Sequence, residues 1–444
     1  MKVQRCEQHI IKLSTDFGRF IDDYCFKSKN LYNYANYIIR QEFIANNNWI
    51  RYNKLFEMVK NSEPYKEIGS NTGQATLRML DKAWKAFFVS IKDWKKNPSK
   101  YLGMPKMPRY KPKDGRYTLA LDSNKVKLKD GYVYFAWNPF KPFNNRFKTK
   151  VRDRIIQCRF IPKRNHYVME IVYEIDTVDC LDFSERIISI DVGVENFVSV
   201  VNNFGEQPFV IKGGAIKSIN QYYNKKKSEM QSELKKVNGN DWSKGLQKLT
   251  DKRYEKIKNY MHCVSKYIID YCVLYDVDTL VIGHNNGWKQ NTKNMQNFTY
   301  IPYELFFKIL KYKCENNGIK YIVIEESYTS GTSFLDSEIP CKENYNKDRR
   351  IQRGLFISNN NVKINADINA AYQIMKKGIP ECIFGRDRGC RSTSIDCQRD
   401  IINGKYTDRL RFLLGKLIGN FEKSHVVIRG SFCIVNGFEW RINI

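Results

Sequence analysis

Residues 187–201 read Ile-Ile-Ser-Ile-Asp-Val-Gly-Val-Glu-Asn-Phe-Val-Ser-Val-Val, a pattern that predicts a strand, a tight turn and a returning strand. Alternation along the first strand puts Ile188 and Ile190 on one face and Asp191 on the other. Gly193 lets a second backbone or a phosphate approach closely. An aspartate at the end of a strand often only opens a turn, so the role of Asp191 depends on the groups around it.

The sequence after this hairpin alternates between strand and helix patterns. Apolar runs predict three further strands: 209–211, 278–283 and 320–326. Helical periodicity predicts a helical hairpin and two single helices: 216–275, 302–316 and 366–377. This order of elements is typical of an RNase H-like mixed sheet.

Acidic residues at the ends of these elements are the first candidates for chemistry. Hydrolysis of phosphodiesters with two metal ions needs several carboxylates around a pair of Mg²⁺ ions roughly 4 Å apart. Asp367 lies in the first turn of the last helix, beside alanines that let this helix pack closely on a sheet. It could also serve only the helix dipole. Its combination with the Asp191 strand favours a catalytic role.

The third acid is harder to assign. The strand over 278–283 ends in Gly283, without a carboxylate. The strand over 320–326 ends in Glu325 and Glu326, whose side chains must point to opposite faces because side chains alternate along a strand. We therefore expect one of them at the metal ions and the other on solvent or a basic group, unless both are simply solvated.

The composition indicates a polyanionic partner. The chain has 444 residues, with 75 Lys and Arg against 47 Asp and Glu, a formal net charge of +28, and 14% aromatic residues. Cationic grooves with rings that stack on bases have this composition, although a generally basic surface would also fit. No apolar run approaches the ~18 residues of a membrane span, and no apolar signal core opens the sequence. We therefore expect a bacterial cytoplasmic protein that acts on DNA, without a membrane partner.

The first 182 residues follow a different pattern. Residues 1–15 and 102–182 alternate as strands and predict a β-barrel, whereas residues 16–101 have helical periodicity and predict a helical bundle. A basic connector with three prolines joins the two at 102–117. It is either a solvated linker or, as its mixture of charges and a ring favours, a loop that grips phosphates.

Basic side chains and one tyrosine are the candidates for contact with nucleic acid. They fall in the helical region, the connector, one turn, the helical hairpin and the segment before the last helix: Lys82, Lys85, Lys95, Lys96; Lys106, Arg109, Tyr110, Lys111, Lys113; Arg164; Lys225, Lys226, Lys227; and Arg349, Arg350, Arg353. For the last three residues, a solvated run of charges is nearly as good an interpretation as contact with DNA.

Five stretches match one known family: Gly103-Met-Pro-Lys-Met-Pro-Arg-Tyr-Lys, Ile190-Asp-Val-Gly-Val-Glu-Asn-Phe, Ile282-Gly-His-Asn-Asn-Gly-Trp-Lys-Gln, Glu326-Ser-Tyr-Thr-Ser and Asn365-Ala-Asp-Ile-Asn-Ala-Ala-Tyr. With them the chain resembles the TnpB family of transposon-encoded, RNA-guided DNA endonucleases, relatives of type V CRISPR effectors and of the eukaryotic Fanzor proteins. The resemblance implies two partners, a guide RNA from the transposon end and double-stranded target DNA.

The resemblance also implies a multidomain α+β architecture. A wedge-type β-barrel would comprise 1–15 and 102–182, with a helical recognition domain at 16–101 inserted in it. A RuvC-like nuclease domain of the RNase H fold would comprise 183–327 and 361–380, with the helical hairpin 216–275 as an insert. Residues 328–360 would form a degenerate target-loading segment, and residues 381–444 are not assigned.

Two departures from the family pattern concern the site. Asp191 and Asp367 match the family's first and third catalytic acids, but its second-motif glutamate is missing at Gly283. Some family members and Fanzor-like relatives carry this glutamate on the strand before Tyr-Thr-Ser, where Glu326 lies here, with Glu325 in reserve. The resemblance therefore implies two Mg²⁺ ions held by Asp191, Glu326 and Asp367. The family's four-cysteine zinc module is missing as well, and since the chain has no C-x-x-C pair we expect no zinc.

We therefore expect an RNA-guided, Mg²⁺-dependent DNA endonuclease that cuts next to a short flanking motif. The missing acid at residue 283 leaves an alternative, a guided DNA-binding repressor that does not cleave and tolerates Asp191→Ala. A third possibility is an unguided RNase H-like nuclease or transposase that acts on DNA without bound RNA. The oligomeric state does not follow from the sequence.

Overall fold

The computed structural model describes residues 2–143, 146–178, 185–284, 301–352 and 354–384, with short strands at 393–395, 426–429, 432–435 and 438–441. The chain divides into two compact units, Met1–Asp176 and Thr177–Ile444. Residues 285–290 of the third quoted motif lie outside the described residues, as do Arg353 and most of 381–444.

Helices make up much of the N-terminal unit: α1 (Asp16–Asn46), α2 (Tyr52–Val59), α3 (Glu63–Ile68) and α4 (Ser70–Lys96). Helix α1 begins where the Thr15 hydroxyl accepts a hydrogen bond from the backbone N–H of Gly18, which satisfies one of the amides left open at a helix start. Helix α4 buries Leu77, Leu80 and Trp84 completely. The helical periodicity read from the sequence is therefore the pattern of a buried face.

Two antiparallel sheets accompany these helices. Their strands are β1 (Lys2–Lys12), β2 (Leu119–Asp122), β3 (Val126–Lys129), β4 (Tyr132–Phe135), β5 (Arg146–Lys148), β6 (Ile155–Pro162) and β7 (His166–Asp176). One sheet has the order β1-β7-β6-β2 and the other β3-β4-β5. A single apolar cluster, which includes Trp84, Phe140 and Phe160, packs helices and both sheets together.

The basic connector runs along α1 instead of standing free in solvent. The Asn33 amide bonds both the backbone N–H and the carbonyl of Lys111, at 2.8 and 3.0 Å. Asn36 and Arg40 donate to the carbonyl of Pro108 at 3.0 and 2.9 Å. Since these α1 residues recur at helical spacing, one face of the helix fixes the path of the connector.

The C-terminal unit is built on a mixed sheet with the strands β8 (Ile187–Val192), β9 (Asn196–Asn202), β10 (Phe209–Lys212), β11 (Thr279–Gly283), β12 (Lys320–Ile324) and β15 (Thr393–Ile395). Their order in the sheet is β12-β11-β8-β9-β10-β15. β8 and β9 form the predicted hairpin, and β11 runs parallel to both β8 and β12. The predicted RNase H-like order of elements is thereby confirmed.

Helices cover both faces of this sheet. They are α5 (Gly214–Asn238), α6 (Lys244–Leu274), α7 (Tyr303–Asn316) and α8 (Ala366–Gly378). Leu280 and Ile282 of β11 pack in the cluster that contains α6 and α7, whereas Val281 between them packs with α8. Because side chains alternate in the same way along β8, Asp191 lies on the face that α8 covers.

Smaller elements complete the described structure. β13 (Leu355–Ile357) and β14 (Lys363–Asn365) form a hairpin before α8, and β16 (Val426–Arg429), β17 (Phe432–Val435) and β18 (Phe438–Arg441) form a separate antiparallel sheet. Within the part of the chain that the structure describes, no helix has the length and apolar character needed to cross a membrane.

Candidate active site

Three neighbouring strands and one helix start meet at a single edge of the sheet. β8, β11 and β12 are parallel, so their carboxyl ends lie together. Helix α8 begins beside them, where the Asn365 side chain accepts hydrogen bonds from the backbone N–H groups of Asp367 and Ile368 at 2.9 and 3.2 Å. This cap fixes the first turn of α8 and with it the position of Asp367.

Asp191 is the most strongly perturbed acid of this edge. Burial raises the pKa of its carboxyl well above the ordinary range, and the negative charges of Glu326 and Asp367 raise it further. The positive charge of Arg350 acts in the opposite direction on the same pKa. The structure therefore brings Glu326 and Asp367 close enough to Asp191 for their charges to act on its carboxyl.

Glu326 lies in the space that a side chain at residue 283 would need. A Cβ atom placed on Gly283 would approach Glu326 Cγ to 2.5 Å, Glu326 Oε1 to 2.8 Å and Ile374 Cδ1 to 2.7 Å, all closer than real Cβ contacts. β11 and β12 are in register with Gly283 opposite Ile324, two residues before Glu326. The carboxylate that β11 lacks is thus supplied by the chain just beyond β12.

Burial also changes the acidity of Glu326. Its Oε1 atom is enclosed by protein, and desolvation raises the pKa of this carboxyl to about 7, with a further contribution from the charge of Glu325. The metal-free protein therefore holds a proton at Glu326 for part of the time at neutral pH.

Glu325 points away from this centre. Its side chain is 65% exposed and accepts hydrogen bonds from the hydroxyl of Ser327 at 2.6 Å and from Lys377 Nζ at 3.4 Å. The hydrogen bond from Ser327 lowers the pKa of Glu325, and Lys377 lowers it further. The two adjacent glutamates therefore differ in environment, as expected, although β12 ends at Ile324 and both residues follow the strand instead of lying in it.

The two carboxylate oxygens of Asp367 have different partners. Asn196, only 8% exposed at the start of β9, donates from Nδ2 to Oδ2 at 2.8 Å. Arg350 donates from Nη2 to Oδ1 at 3.1 Å. A buried amide therefore holds one oxygen, and a guanidinium that is 35% exposed holds the other.

The donor set has the chemistry of a site for a hard divalent cation, because it consists of carboxylate oxygens. Among the described residues, however, no three His, Cys, Asp or Glu side chains are gathered so that they could hold a metal ion. In this arrangement the positive charge beside Asp367 is the guanidinium of Arg350. The assignment of metal ligands to Asp191, Glu326 and Asp367 stays a prediction.

Sequence reasoning missed two residues that order this edge. The Tyr303 hydroxyl, at the start of α7, donates to the backbone carbonyl of Gly193 at 2.8 Å and so fixes the turn that follows Asp191. Asn196 reaches from the same turn to Asp367. Asn196 stands inside the motif quoted first, so a polar residue that opens a largely apolar strand was an available signal. Nothing in the local sequence marks Tyr303.

The predicted nucleic-acid contacts of the N-terminal unit are accessible. The four candidate lysines of α4 are exposed, and so are Arg164 in the turn between β6 and β7 and every connector candidate except Lys111, which is half-buried. Among the α5 candidates, Lys225 is exposed, Lys227 is half-buried, and Lys226 pairs with Glu229 at 2.7 Å. Their contact with nucleic acid stays a prediction.

The arginines before α8 have intramolecular partners. Arg349 donates from Nη1 to both carboxylate oxygens of Glu338 at 2.7 Å, and the two side chains are 19% and 16% exposed. Glu338 also accepts the backbone N–H of Ser333 at 2.8 Å. Arg349 is thus a structural anchor of this segment, a role that the run of charges in the sequence did not indicate.

A mixed sheet of RNase H order, with acidic side chains at the carboxyl ends of its strands, gives the C-terminal unit the architecture of RuvC-like nucleases. A family described as a probable transposase, OrfB_IS605, matches residues 170–289. The TNB domain of Cas12f1-like proteins matches residues 303–374, which include Glu326 and Asp367.

Two individual proteins are similar to this chain over longer stretches. A TnpB-like protein, ORF457, of Acidianus two-tailed virus is 23% identical over 391 residues, which cover 79% of this chain and 82% of that protein. The CRISPR-associated endodeoxyribonuclease Cas12f1 of Sulfoacidibacillus thermotolerans is 27% identical over 234 residues, 50% of this chain and 52% of that protein. The predicted resemblance to the TnpB family is confirmed by these similarities.

A solved structure shares the fold. The cryo-EM structure of a Cas12f1–sgRNA–target DNA complex contains a chain that matches with a TM-score of 0.53 at 13% identity, over 81% of this chain and 82% of that chain. The multidomain α+β architecture predicted from the sequence is confirmed by this similarity.

Proposed function

We propose that this chain is an RNA-guided DNA endonuclease encoded by a transposon, and that it cuts DNA beside a short flanking motif by metal-dependent hydrolysis. The catalytic acids would be Asp191, Glu326 and Asp367. The observation that carries the proposal is the position of Glu326, whose side chain fills the space left open at Gly283 beside the other two acids.

The chain's own residues would prepare this site in defined ways. The Asn365 side chain accepts a hydrogen bond from the backbone N–H of Asp367, and the Asn196 side chain donates one to the Asp367 carboxylate. Tyr303 holds the turn after Asp191. Glu326 has a pKa of about 7 without a cation, so a proton and a cation would compete for its carboxylate. Two Mg²⁺ ions bound at such a centre would activate water and stabilise the leaving oxyanion.

The guide RNA and its DNA partner would be held by shape and charge. The net charge of +28 and the exposed cations of α4 and the connector suit the backbone of an A-form heteroduplex. We further propose the domain assignment expected from the sequence: a wedge-type domain at 1–15 and 102–182, a recognition domain at 16–101, and a target-loading segment at 328–360. The sheets β1-β7-β6-β2 and β3-β4-β5, and helices α1 to α4, support it.

The test begins with the RNA that co-purifies with the full chain. Sequencing this RNA gives the guide, and a matched DNA target with randomised flanks then reports cleavage in the presence of Mg²⁺. We expect Asp191→Ala and Glu326→Gln to abolish cleavage while both variants still bind the target, and Glu325→Gln to cleave normally. Target binding without any cleavage by the unchanged protein would favour a guided repressor, and cleavage without bound RNA an unguided nuclease.

A further inference from the structure

We propose that Arg350 is an exchangeable counter-ion of the acidic centre, which neutralises Asp367 in the metal-free protein and must leave Oδ1 before a divalent cation can bind there. The inference rests on the proposed function, since it takes Asp367 as a metal ligand. It concerns the state of the centre before metal binding.

The two bonds to Asp367 suit different roles. The Asn196 amide is buried and neutral, so it can stay on Oδ2 whether or not a cation is present. The Arg350 guanidinium on Oδ1 carries the same sign of charge as a metal ion, so the two cations would repel each other at one carboxylate. Only the partner of Oδ1 therefore has to change.

The backbone around Arg350 allows this exchange without unfolding. Residues Lys347–Arg349 form a helical turn, capped by the Asn346 side chain on the N–H of Asp348 at 2.9 Å. The preceding residue, Arg349, pairs with the Glu338 carboxylate. The backbone carbonyl of Glu338 in turn accepts a hydrogen bond from the side chain of Gln373 in α8 at 3.2 Å. Arg350 is therefore presented from an anchored turn, and its long, 35% exposed side chain can move while the backbone of this turn stays in place.

The charge of Arg350 also reaches the other side of the centre. It opposes the rise in the pKa of Asp191, so its influence extends beyond its hydrogen-bond partner. Removing this charge should leave three mutually repelling acids with a stronger attraction for a cation.

Metal affinity tests the inference directly, without activity as the readout. Mn²⁺ is titrated into the full chain, stripped of nucleic acid, and free Mn²⁺ is measured by electron paramagnetic resonance. We expect Arg350→Ala and Arg350→Gln to bind Mn²⁺ about tenfold more tightly than the unchanged protein, because a repelling charge is gone. Arg350→Lys should stay within about twofold of it, since the charge is kept.

Two controls separate this inference from the proposed function. Lys347→Ala removes an exposed charge from the same turn and should leave Mn²⁺ affinity within about twofold. Asp191→Ala should abolish the binding in each background. If Asp191→Ala abolishes binding but neither Arg350→Ala nor Arg350→Gln strengthens it, the counter-ion role of Arg350 is wrong and the metal centre stands. If Asp191→Ala leaves Mn²⁺ binding unchanged, both proposals fail.

Discussion

Gly283 and Glu326 share one volume: the first has no side chain where the second places its carboxylate. The two residues belong to neighbouring parallel strand ends, and the register of β11 with β12 brings them together. An acid lost from one strand position can therefore be supplied from the next strand, provided that the first position stays small.

The first prediction concerns this shared volume. Gly283→Ala puts a Cβ within 2.5–2.8 Å of Glu326 and Ile374, so Glu326 must move. We expect cleavage to fall by at least about tenfold and the free energy of unfolding by about 1–3 kcal/mol. Cleavage kinetics and urea unfolding measure the two effects. Gly214→Ala is the matched control, because a Cβ there meets no atom within 4 Å; equal behaviour of the two variants would contradict the crowding argument.

The second prediction concerns pH. Glu326 has a pKa of about 7 in the folded chain against an ordinary value of 4.5. Between these values the folded state keeps a proton that the unfolded state has lost. The contribution of Glu326 to the free energy of unfolding is therefore largest below pH 4.5 and falls as the pH rises to about 7. We expect a loss on the order of 1 kcal/mol, reduced from the full linkage value because the side chain is only partly buried.

Urea unfolding in EDTA at pH 5 and pH 7.5 checks this sign. Glu326→Gln cannot ionise, so its stability should depend less on pH than that of the unchanged protein. Glu325→Gln serves as the comparison, because the pKa of Glu325 is lowered from 4.5, so its contribution to stability changes only at more acidic pH and not between pH 5 and pH 7.5. Identical pH dependence in Glu326→Gln and the unchanged protein would show that Glu326 does not titrate in this range.

The third prediction concerns the Glu338–Arg349 pair. Glu338→Ala leaves a guanidinium that is only 19% exposed without its carboxylate, a loss that typically costs about 3 kcal/mol for buried pairs. We expect limited proteolysis to cut residues 333–359 at least about tenfold faster, while the sheet around β8 stays resistant. Asp348→Ala is the control, because Asp348 is an exposed acid in the same helical turn as Arg349. A Glu338→Ala chain as resistant as its parent would refute the anchoring role.

The fourth prediction concerns the connector. Asn36 is completely buried, accepts a hydrogen bond from the Trp84 indole at 3.0 Å and donates one to the carbonyl of Pro108 at 3.0 Å. Asn36→Ala leaves both partners without these bonds and should lower the free energy of unfolding by about 2–3 kcal/mol. Asn33→Ala removes two bonds to Lys111 at a half-buried position, where water can replace them, so we expect less than about 1 kcal/mol. Thermal and urea unfolding compare the two variants, and a larger loss in Asn33→Ala would count against this interpretation.

Local pattern was enough for the elements that carry the site. The β8–β9 hairpin followed from alternation around Asp191, and α8 from periodicity around Asp367, because both depend on neighbours within a few residues. The place of Glu326 depends on the register between two strands about 40 residues apart, so the sequence could suggest it only through a resemblance.

The contacts of the site that the sequence did not reveal join residues that are far apart along the chain. Asn196 and Asp367 are 171 residues apart, and Tyr303 and Gly193 are 110 residues apart. Arg349 and Arg350 look equivalent as neighbouring charges, yet one pairs with Glu338 and the other with Asp367. Such differences arise only from packing, which brings one carboxylate beside each guanidinium.

The segment between β12 and α8 is held by amides, hydroxyls and the Glu338–Arg349 pair, with Asn369 bonding the carbonyl of Thr332 and the backbone N–H of Phe334. None of these contacts needs an ion from the medium. Chelation should therefore strip cations from the neighbouring acids while this segment keeps its shape, and oxidants should leave these contacts intact because none of them involves a thiol. Protein from which EDTA has removed the cations could then be loaded with one chosen metal at a time.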